Sequence, residues 1–460
     1  MRKRLIRNTG LMTEGPIAKQ LLFYAIPILL SSYLQQLYNI VDSVVAGKFI
    51  SYAALAAVGA NGVIISMLVG FFLGFTAGSS VIISQAYGAR DTKAVFESVH
   101  TAIGVSIAAG MLLTVLGLIF TPALLRLINT PEEVRGMATE YLTIYFYGTV
   151  PVMLYNMGSA ILRAVGNSTL PLIFLGVAAG TNTVLDLVFV IWFDMGIAGT
   201  AWATVISQVL AAGLTIAALM RTDEVYKLFL RKIRIKKEIL IKILKLGIPA
   251  GLQTSVISLS NILIQRGING FGAVVMAGAA AAGKVDGLVG ATIGAFGLAT
   301  TGFVGQNYGA GHIDRVKKGV RIGFLMTVTA SVFLGGILLL LRNQAAALFN
   351  DDPQVIASAT QMMLYILPFY FIYAFVEVFG GAMRGAGWTF MPMIVTLVGM
   401  CLLRVIWVSV VPVYYRDVGA VFVVYPISWV WTGIPMWLIY KYGKWNKKGP
   451  GVSKCEKSSS

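Results

Sequence analysis

Four carboxylate side chains lie inside segments that are otherwise almost wholly apolar. Asp42 and Asp186 fall in the first half of the chain, and Asp286 and Glu377 fall in the second half. An ionised side chain at the centre of a bilayer costs about 2.5–3.5 kcal/mol on insertion scales, so each is a candidate functional residue. Carboxylates in such surroundings suit reversible protonation or, together with amide and hydroxyl oxygens, the binding of a hard cation such as Na⁺.

The surroundings of Asp42 are the most informative. Gln35, Tyr38, Asn39 and Asp42 recur at steps of three and four residues, which places them on one face of a helix. Pro27 lies upstream, where a proline kinks a helix and frees backbone carbonyl groups. This face therefore presents a carboxylate, amides and a phenol together.

A second acidic residue has an amide neighbour. Asn182 and Asp186 are one helical turn apart and share a face. Two carboxylates held close together cannot both stay ionised cheaply, and this favours H⁺ over Na⁺ as the bound cation. We predict no cofactor and no resident metal. The predicted cation-coupling residues are Asp42, Asn182, Asp186, Asn39 and Tyr38.

Other polar residues within the apolar segments are candidates for a substrate cavity. Lys284 and Asp286 are two residues apart and point to different faces of their helix. Either Asp286 or Glu377 can pair with Arg404, so a buried ion pair and a substrate-facing charge both remain open. The cavity candidates are Gln35, Asn156, Lys284, Asp286, Glu377 and Arg404.

The elements that carry these residues are membrane spans by composition. The 460 residues are 57% hydrophobic and 12% charged, and their mean hydropathy is +0.80. Soluble domains average about 45–50% apolar and about 25% charged residues. The composition excludes a cytosolic enzyme, a secreted disulfide scaffold and a nucleic-acid-binding protein. The expected partner is the lipid bilayer.

A membrane helix needs about 20 apolar residues, and twelve segments qualify. They predict an all-α polytopic membrane protein. The segments are residues 18–47, 53–84, 97–125, 138–160, 169–193, 197–219, 240–267, 273–304, 320–341, 358–382, 390–413 and 418–440.

The Lys and Arg residues fix the expected orientation. Of the 36, 28 fall in segments on one side of the predicted spans and six fall on the other side. Basic residues collect in cytoplasmic loops. We therefore expect a plasma-membrane protein with both termini in the cytoplasm.

The two halves of the chain match at an offset of 221–222 residues. Six landmarks in order at one spacing indicate two six-helix repeats of the same orientation. Among them are Gln85-Ala-Tyr-Gly-Ala89 and Gln306-Asn-Tyr-Gly-Ala310, Leu162-Arg-Ala-Val-Gly166 and Met383-Arg-Gly-Ala-Gly387, Asn39 and Asn261, and Ser207 and Ser428. The predicted regions are an N-terminal segment 1–17, a first lobe 18–220, a basic linker 221–238, a second lobe 239–443 and a cytoplasmic tail 444–460.

The charged residues inside the spans break this symmetry. A duplicated scaffold predicts matching residues wherever only packing matters, so function is expected where the repeats differ. The unmatched pairs are Asp42 and Ile264, Asp186 and Trp407, Asp286 and Ile64 or Ile65, Glu377 and Asn156, and Arg404 and Thr183.

Two local features complete the prediction. The stretch from Ile233 to Leu246 alternates basic and apolar residues at helical spacing, which favours a helix along the inner membrane surface over a plain charged tether. Gly88 and Gly309 are expected to supply the turns that end the second and eighth spans.

Twelve spans in two homologous halves, Gln-x-Tyr-Gly-Ala after spans 2 and 8, and Arg-x-x-Gly before a proline after spans 4 and 10 resemble the multidrug and toxic compound extrusion (MATE) transporters. The similarity is closest to the DinF/MepA-like subgroup of the polysaccharide-flippase/MATE superfamily. It implies two pseudo-symmetric six-helix lobes arranged as a V. It also implies export of bulky, often cationic, amphipathic compounds against an inward flow of H⁺ or Na⁺.

The resemblance also implies roles for particular residues. In archaeal and DinF-like members, an aspartate of span 1 and an Asn-x-x-x-Asp pair of span 5 form the cation site, and Asp42, Asn182 and Asp186 match them. Glu377 lies where NorM-like members carry an acidic residue in span 10. Those members also have an acid in span 7, where this chain has none.

The function implied is therefore that of a cation-coupled antiporter, a monomer that exports amphipathic, often cationic drugs and xenobiotics by rocker-switch alternating access. The alternative is a flippase for a lipid-linked sugar, which needs a more basic cavity than Lys284 and Arg404 supply. An enzyme is not expected, because the sequence lacks HExxH, Gly-x-Ser-x-Gly and P-loop motifs.

Overall fold

The computed structural model describes residues 11–127, 130–414, 417–443 and Trp445. Residues 1–10 of the predicted N-terminal segment and nearly all of the predicted tail lie outside this part of the chain. The described residues are almost entirely helical and contain no β-strand. The prediction of an all-α chain is confirmed.

The chain forms two compact units. The first unit holds Leu30–Gly251, and the second holds Met12–Leu29 together with the chain from Leu252 onward. The contacts thus place the start of the first long helix with the second unit and residues 239–251 with the first unit, unlike the lobe boundaries drawn from sequence. In both helices a matched proline, Pro27 or Pro249, lies two residues before the change of unit.

In the described part of the chain, seven helices precede the linker. Single π-helical turns, Ala46–Ile50 and Val188–Trp192, extend the first and sixth of them. The helices are α1 (Ile17–Val45), α2 (Tyr52–Gly88), α3 (Thr92–Leu127), α4 (Glu132–Tyr147), α5 (Thr149–Ala164), α6 (Thr169–Leu187) and α7 (Gly196–Arg221).

Eleven further helices of the described residues follow the linker. They are α8 (Lys237–Asn269), α9 (Ala273–Gly309), α10 (Ile313–Leu340), α11 (Arg342–Ala347), α12 (Pro353–Ile366), α13 (Tyr370–Ala374), α14 (Gly380–Gly385), α15 (Phe390–Thr396), α16 (Leu403–Tyr414), α17 (Val418–Phe422) and α18 (Val424–Tyr442). A π-helical turn, Phe375–Phe379, joins α13 to α14 and carries Glu377.

Eleven helical runs of the described residues are long and apolar enough to cross a membrane. The twelfth span consists of α4 and α5, which meet at Gly148. One continuous helix over 138–160 is the wrong prediction, because Pro151 has no N–H to donate to the carbonyl of Tyr147, four residues earlier. With this broken span counted, the twelve-span fold is confirmed.

Small residues let two helices of the first unit approach closely. Gly74 and Gly78 of α2 face Gly247 and Gly251 of α8. A Cβ atom on Gly78 would lie 2.8 Å from the carbonyl oxygen of Ile243. The backbones therefore touch without intervening side chains, as in other small-residue crossings of membrane helices.

The linker packs against the first unit. The Phe229 N–H donates to His100 Nε2 at 3.1 Å, and Lys236 forms an ion pair with Glu97 at 2.6 Å. The helix begins only at Lys237, so the predicted helical stretch from Ile233 is shorter than expected at its start. Residues 233–236 are therefore neither a plain tether nor part of the helix, because the Thr101 side chain of α3 holds their backbone.

The ends of α2 and α9 differ from the prediction in one detail. Gly88 and Gly309 are the last helical residues and have ordinary φ values. The left-handed residues are Arg90 (φ 54°) and Gly311 (φ 79°), two positions later. In the first repeat, Asp91 N–H donates to Ala86 O, which is the long hydrogen bond of a Schellman turn centred on Arg90.

Candidate functional site

Asp42 of α1 and Asp186 of α6 meet inside the first unit. Their side chains lie against each other, and the two residues are 7% and 0% exposed. Asn182 stands one turn before Asp186 on α6 and is also fully buried. These three residues, here called the carboxylate cluster, match the same-face pattern of each helix.

Hydroxyl groups surround the carboxylate cluster. Thr204 of α7 lies beside Asp42 and beside the hydroxyl of Tyr38. The Tyr38 hydroxyl is 3.4 Å from the Oγ atom of Ser207, one turn along α7. Tyr141 of α4 is buried next to Thr204. The cluster is therefore built where α1, α4, α6 and α7 converge.

Thr204, Ser207 and Tyr141 were not among the predicted site residues. A signal for the α7 pair was present, because Thr204, Ser207 and Gln208 stand at i, i+3 and i+4 within an otherwise apolar helix. Ser207 was noted only as a landmark of the repeat. Tyr141 carries no such local signal, since an aromatic residue on a buried helix is ordinary.

Several buried polar atoms of this site have no hydrogen-bond partner among the described residues. Among the described residues, none forms a hydrogen bond with Oδ1 of Asp42, with either carboxylate oxygen of Asp186, or with either amide atom of Asn182. Oε1 of Gln208 is in the same condition. Buried polar atoms are nearly always satisfied in native proteins, so such a concentration points to an unseen proton, ion or water.

The carboxylate cluster has no positively charged partner among the described residues. In the described part of the chain, no Lys or Arg forms an ion pair with Asp42 or Asp186. One proton shared between the two carboxyl groups removes a charge and supplies a hydrogen bond. Alternatively, carboxylate, amide and hydroxyl oxygens offer hard donors for Na⁺. The arrangement is chemically fit for a reversibly bound monovalent cation.

Two of the predicted residues of α1 lie outside the site of the carboxylate cluster. Tyr38 is buried in it, but Gln35 and Asn39 are exposed. Within the described part of the chain, the side chain of Asn39 forms no hydrogen bond or ion pair with the carboxylate cluster. In α5, the amide of Asn156 donates to the carbonyl of Val152 at 2.8 Å, one turn back.

Arg404 is the centre of a different cluster in the second unit. It is 3% exposed, its Nε donates to Ser428 Oγ at 2.9 Å, and a terminal nitrogen donates to Asn261 Oδ1 at 3.1 Å. The guanidinium lies 4.9 Å from the ring centre of Tyr425. Arg404, Asn261, Ser428 and Tyr425 are called the Arg404 cluster below.

Neither acidic candidate of the second unit forms an ion pair with Arg404. Glu377 pairs instead with Arg384 at 3.3 Å and accepts a hydrogen bond from Tyr373 at 3.0 Å. The expectation that Glu377 pairs with Arg404 is therefore wrong, because Arg384 stands two helical turns after it. Sequence reasoning missed Arg384 in this role.

Asp286 of α9 lies close to the Arg404 cluster but forms no ion pair with it. It lies near Arg404, but beyond the 4 Å of an ion pair, and beside Tyr370. Its Oδ1 atom is buried and has no hydrogen-bond partner among the described residues. Lys284, two residues before it, is exposed.

Comparisons with known proteins agree with this architecture. The MatE family model matches residues 27–188 and 249–409. The Probable multidrug resistance protein YpnP of Bacillus subtilis is 30% identical over 437 residues, which is 94% of this chain and 97% of YpnP. The Probable multidrug resistance protein YoeA of the same organism is 29% identical over 456 residues, covering 95% of this chain and 96% of YoeA.

A solved structure shares the fold. A MOP superfamily transporter from Pyrococcus furiosus aligns with a TM-score of 0.88 and 22% sequence identity, over 96% of this chain and 99% of that one. The two family-model matches cover one repeat each, in agreement with the internal duplication. The chain belongs to the MatE family and is a multi-pass membrane protein of the multidrug and toxic compound extrusion (MATE) transporters.

Proposed function

We propose that the chain is an antiporter that exports amphipathic, often cationic drugs and xenobiotics in exchange for an inward-moving H⁺ or Na⁺. The observation that carries the proposal is the carboxylate cluster, a buried pair of acids with an unsatisfied amide and, among the described residues, no basic partner. The names of YpnP and YoeA, both probable multidrug resistance proteins, support drugs as the substrate class.

The cluster gives a physical reason for coupling. When it is empty, two carboxylates share one apolar interior, which is costly. A cation entering from outside neutralises Asp42 and Asp186 and stabilises a different packing of α1 against α6 and α7. The cation and the drug then favour opposite states, and this differential binding is what antiport by rocker-switch alternating access requires.

We favour H⁺ over Na⁺. The structure brings two carboxylates and one amide together, with hydroxyl groups of Thr204 and Tyr38 next to them. A proton needs only the two carboxylates, whereas Na⁺ needs several oxygens converging on one point. Exposed Asn39 does not add to that oxygen set in this structure.

The proposal places the protein in the plasma membrane with both termini in the cytoplasm, on the basis of the Lys and Arg distribution. It treats the protein as a monomer that needs no cofactor.

The test is drug efflux from proteoliposomes that contain only the purified protein. A pH gradient and a Na⁺ gradient are imposed separately, with ethidium as the exported cation. We expect efflux against an ethidium gradient under the pH gradient and none without either gradient. Failure of both gradients to drive efflux, with correctly inserted protein, contradicts antiport. Transport of a lipid-linked sugar instead of ethidium identifies a flippase.

A further inference from the structure

The Arg404 cluster stands in the second repeat where the surroundings of the carboxylate cluster stand in the first. At the repeat offset, Ser428 matches Ser207, Tyr425 matches Thr204 and Asn261 matches Asn39. In the first unit, Thr204 lies beside Asp42 and Ser207 lies beside Tyr38. In the second unit, Ser428 and Tyr425 contact the guanidinium of Arg404.

Each charged residue of these two clusters matches an uncharged residue in the other repeat. The positions that match Asp42 and Asp186 are Ile264, which is fully buried, and Trp407, whose ring N–H donates to Ala420 O at 2.8 Å. The position that matches Arg404 is Thr183. At this helix contact the first unit has two acids that pair with no Lys or Arg of the described residues, whereas the second unit has a buried arginine.

We propose that Arg404 is a tethered cation, which takes in the second unit the place that the exchangeable coupling cation takes in the first, and so keeps the second unit from binding a coupling ion of its own. This proposal rests on the proposed function, because it concerns which unit exchanges the cation. It makes Arg404 a residue that determines cation stoichiometry, and it accounts for the asymmetry between the repeats.

The geometry favours a permanent role for this charge. Arginine remains protonated under all physiological conditions, and two hydrogen bonds and the Tyr425 ring hold the guanidinium in place. A free ion in the same place leaves by diffusion, whereas a side chain cannot.

Asp286 is the acid that a free cation would otherwise bind. The groups that face it are Arg404 and the phenols of Tyr370 and Tyr425, and Tyr373 lies near the guanidinium. The Glu377 carboxylate is already paired with Arg384. Without the guanidinium, Asp286 becomes a buried carboxylate with no positive neighbour, a state that is strongly unfavourable until another cation binds.

The experiment counts cations bound by the purified full-length protein in detergent. Radioactive sodium is measured by equilibrium dialysis, and protons are measured by potentiometric titration across neutral pH. Arg404→Gln is expected to bind about one cation more than the wild type, as Na⁺ or as H⁺. Arg404→Lys, which keeps a tethered charge, and the double variant Arg404→Gln/Asp286→Asn are expected to match the wild type.

An unchanged count in folded Arg404→Gln overturns the proposal, and so does an extra cation that persists in the double variant. If Arg404→Gln does not fold, Asp286→Asn alone decides the question. It should leave the wild-type count unchanged, and a lower count would show that Asp286 already exchanges a cation beside Arg404. These counts do not involve drug transport, so absence of efflux tests the proposed function separately.

Discussion

The side chain of Asp42 lies against that of Asp186 in the interior of the first unit, and no Lys or Arg in the described part of the chain pairs with either. The two residues come from α1 and α6, which are far apart in sequence. A buried charge that lacks its partner usually costs several kcal/mol, and the partner that is missing here is a positive charge. The pair is therefore stable only when a mobile cation supplies that charge, or when one carboxyl is protonated.

Replacing either acid should uncouple transport. Asp42→Asn and Asp186→Asn keep the size of the side chain and remove its charge, so the cluster no longer changes state when the cation arrives. We expect gradient-driven ethidium efflux to fall to the level of empty liposomes for each variant. Protein content of the liposomes, measured by immunoblot, should stay within about twofold of the wild type, because removing an unpaired buried charge does not weaken packing.

The matched positions of the second repeat supply controls. Ile264→Val removes one methylene at a cost of about 0.5–1.5 kcal/mol, and Trp407→Phe loses one hydrogen bond worth about 1 kcal/mol. Both should retain most of the efflux. An equal loss of efflux in Ile264→Val and Asp42→Asn would contradict a coupling site confined to the first unit.

Thr204 offers a test of the hydroxyl groups around the carboxylate cluster. Its side chain lies beside both Asp42 and Tyr38, and its Oγ1 atom has no hydrogen-bond partner among the described residues, so Thr204→Val removes, at nearly constant volume, a hydroxyl that can hydrogen-bond the charged form of the cluster. Such bonds contribute about 1.5–3 kcal/mol, which corresponds to a shift of about tenfold or more in the driving-ion concentration that gives half-maximal efflux. Thr204→Ser, which keeps the hydroxyl, should behave like the wild type. Equal shifts in both variants would assign Thr204 a packing role only.

Much of the fold could be predicted from sequence because membrane helices are recognisable by their length and their apolar composition. The offset of 221–222 residues between matched landmarks also predicted the two six-helix repeats. The break at Gly148 was missed because the apolar run continues through Pro151, and periodicity cannot show a single lost backbone hydrogen bond. Arg90 could not be predicted as the left-handed residue either, since a glycine two positions earlier is the stronger signal for that conformation.

The candidate site was only partly accessible from sequence. Same-face spacing groups Tyr38 with Asp42 and Asn182 with Asp186 because those residues share a helix. Spacing does not show which face of α7 contacts Asp42 and Asp186. Thr204 could therefore be assigned to the site only from the tertiary structure. Spacing also predicts too many site residues. Asn39, three residues before Asp42, is predicted to share its helix face, but its side chain is exposed.

The identity of the coupling ion can be read from what the drug displaces. If the carboxylate cluster holds a proton, binding of tetraphenylphosphonium to the purified protein should release H⁺ into weakly buffered solution. Asp42→Asn should reduce that release by at least half, and transport in sealed vesicles should persist without Na⁺. Efflux that needs a Na⁺ gradient and ignores the pH gradient would refute the proton and leave the site itself in place.

The crossing of α2 and α8 should tolerate no added side-chain atom. Gly78→Ala places a Cβ 2.8 Å from the carbonyl oxygen of Ile243, so the helices must move apart. Overpacking of this kind costs about 1–3 kcal/mol and should lower the melting temperature in detergent. The control is Gly59→Ala on the same helix, where a Cβ meets nothing within 4 Å and helix propensity favours alanine. A melting temperature that falls equally in both would contradict the close approach.

The orientation of the linker can be tested with a cysteine, provided that the position is chosen from the structure. Tyr226 is only 2% exposed, so a cysteine there would resist labelling on either side of the membrane. Val225 next to it is 37% exposed and gives an interpretable answer in a chain whose Cys401 and Cys455 are replaced. The excess of Lys and Arg around the linker predicts a cytoplasmic location, because basic loops are retained inside. Val225→Cys should therefore resist an impermeant maleimide in intact cells and react fully once the membrane is permeabilised. Rapid labelling in intact cells would invert the orientation and, with it, the direction in which the coupling cation must enter.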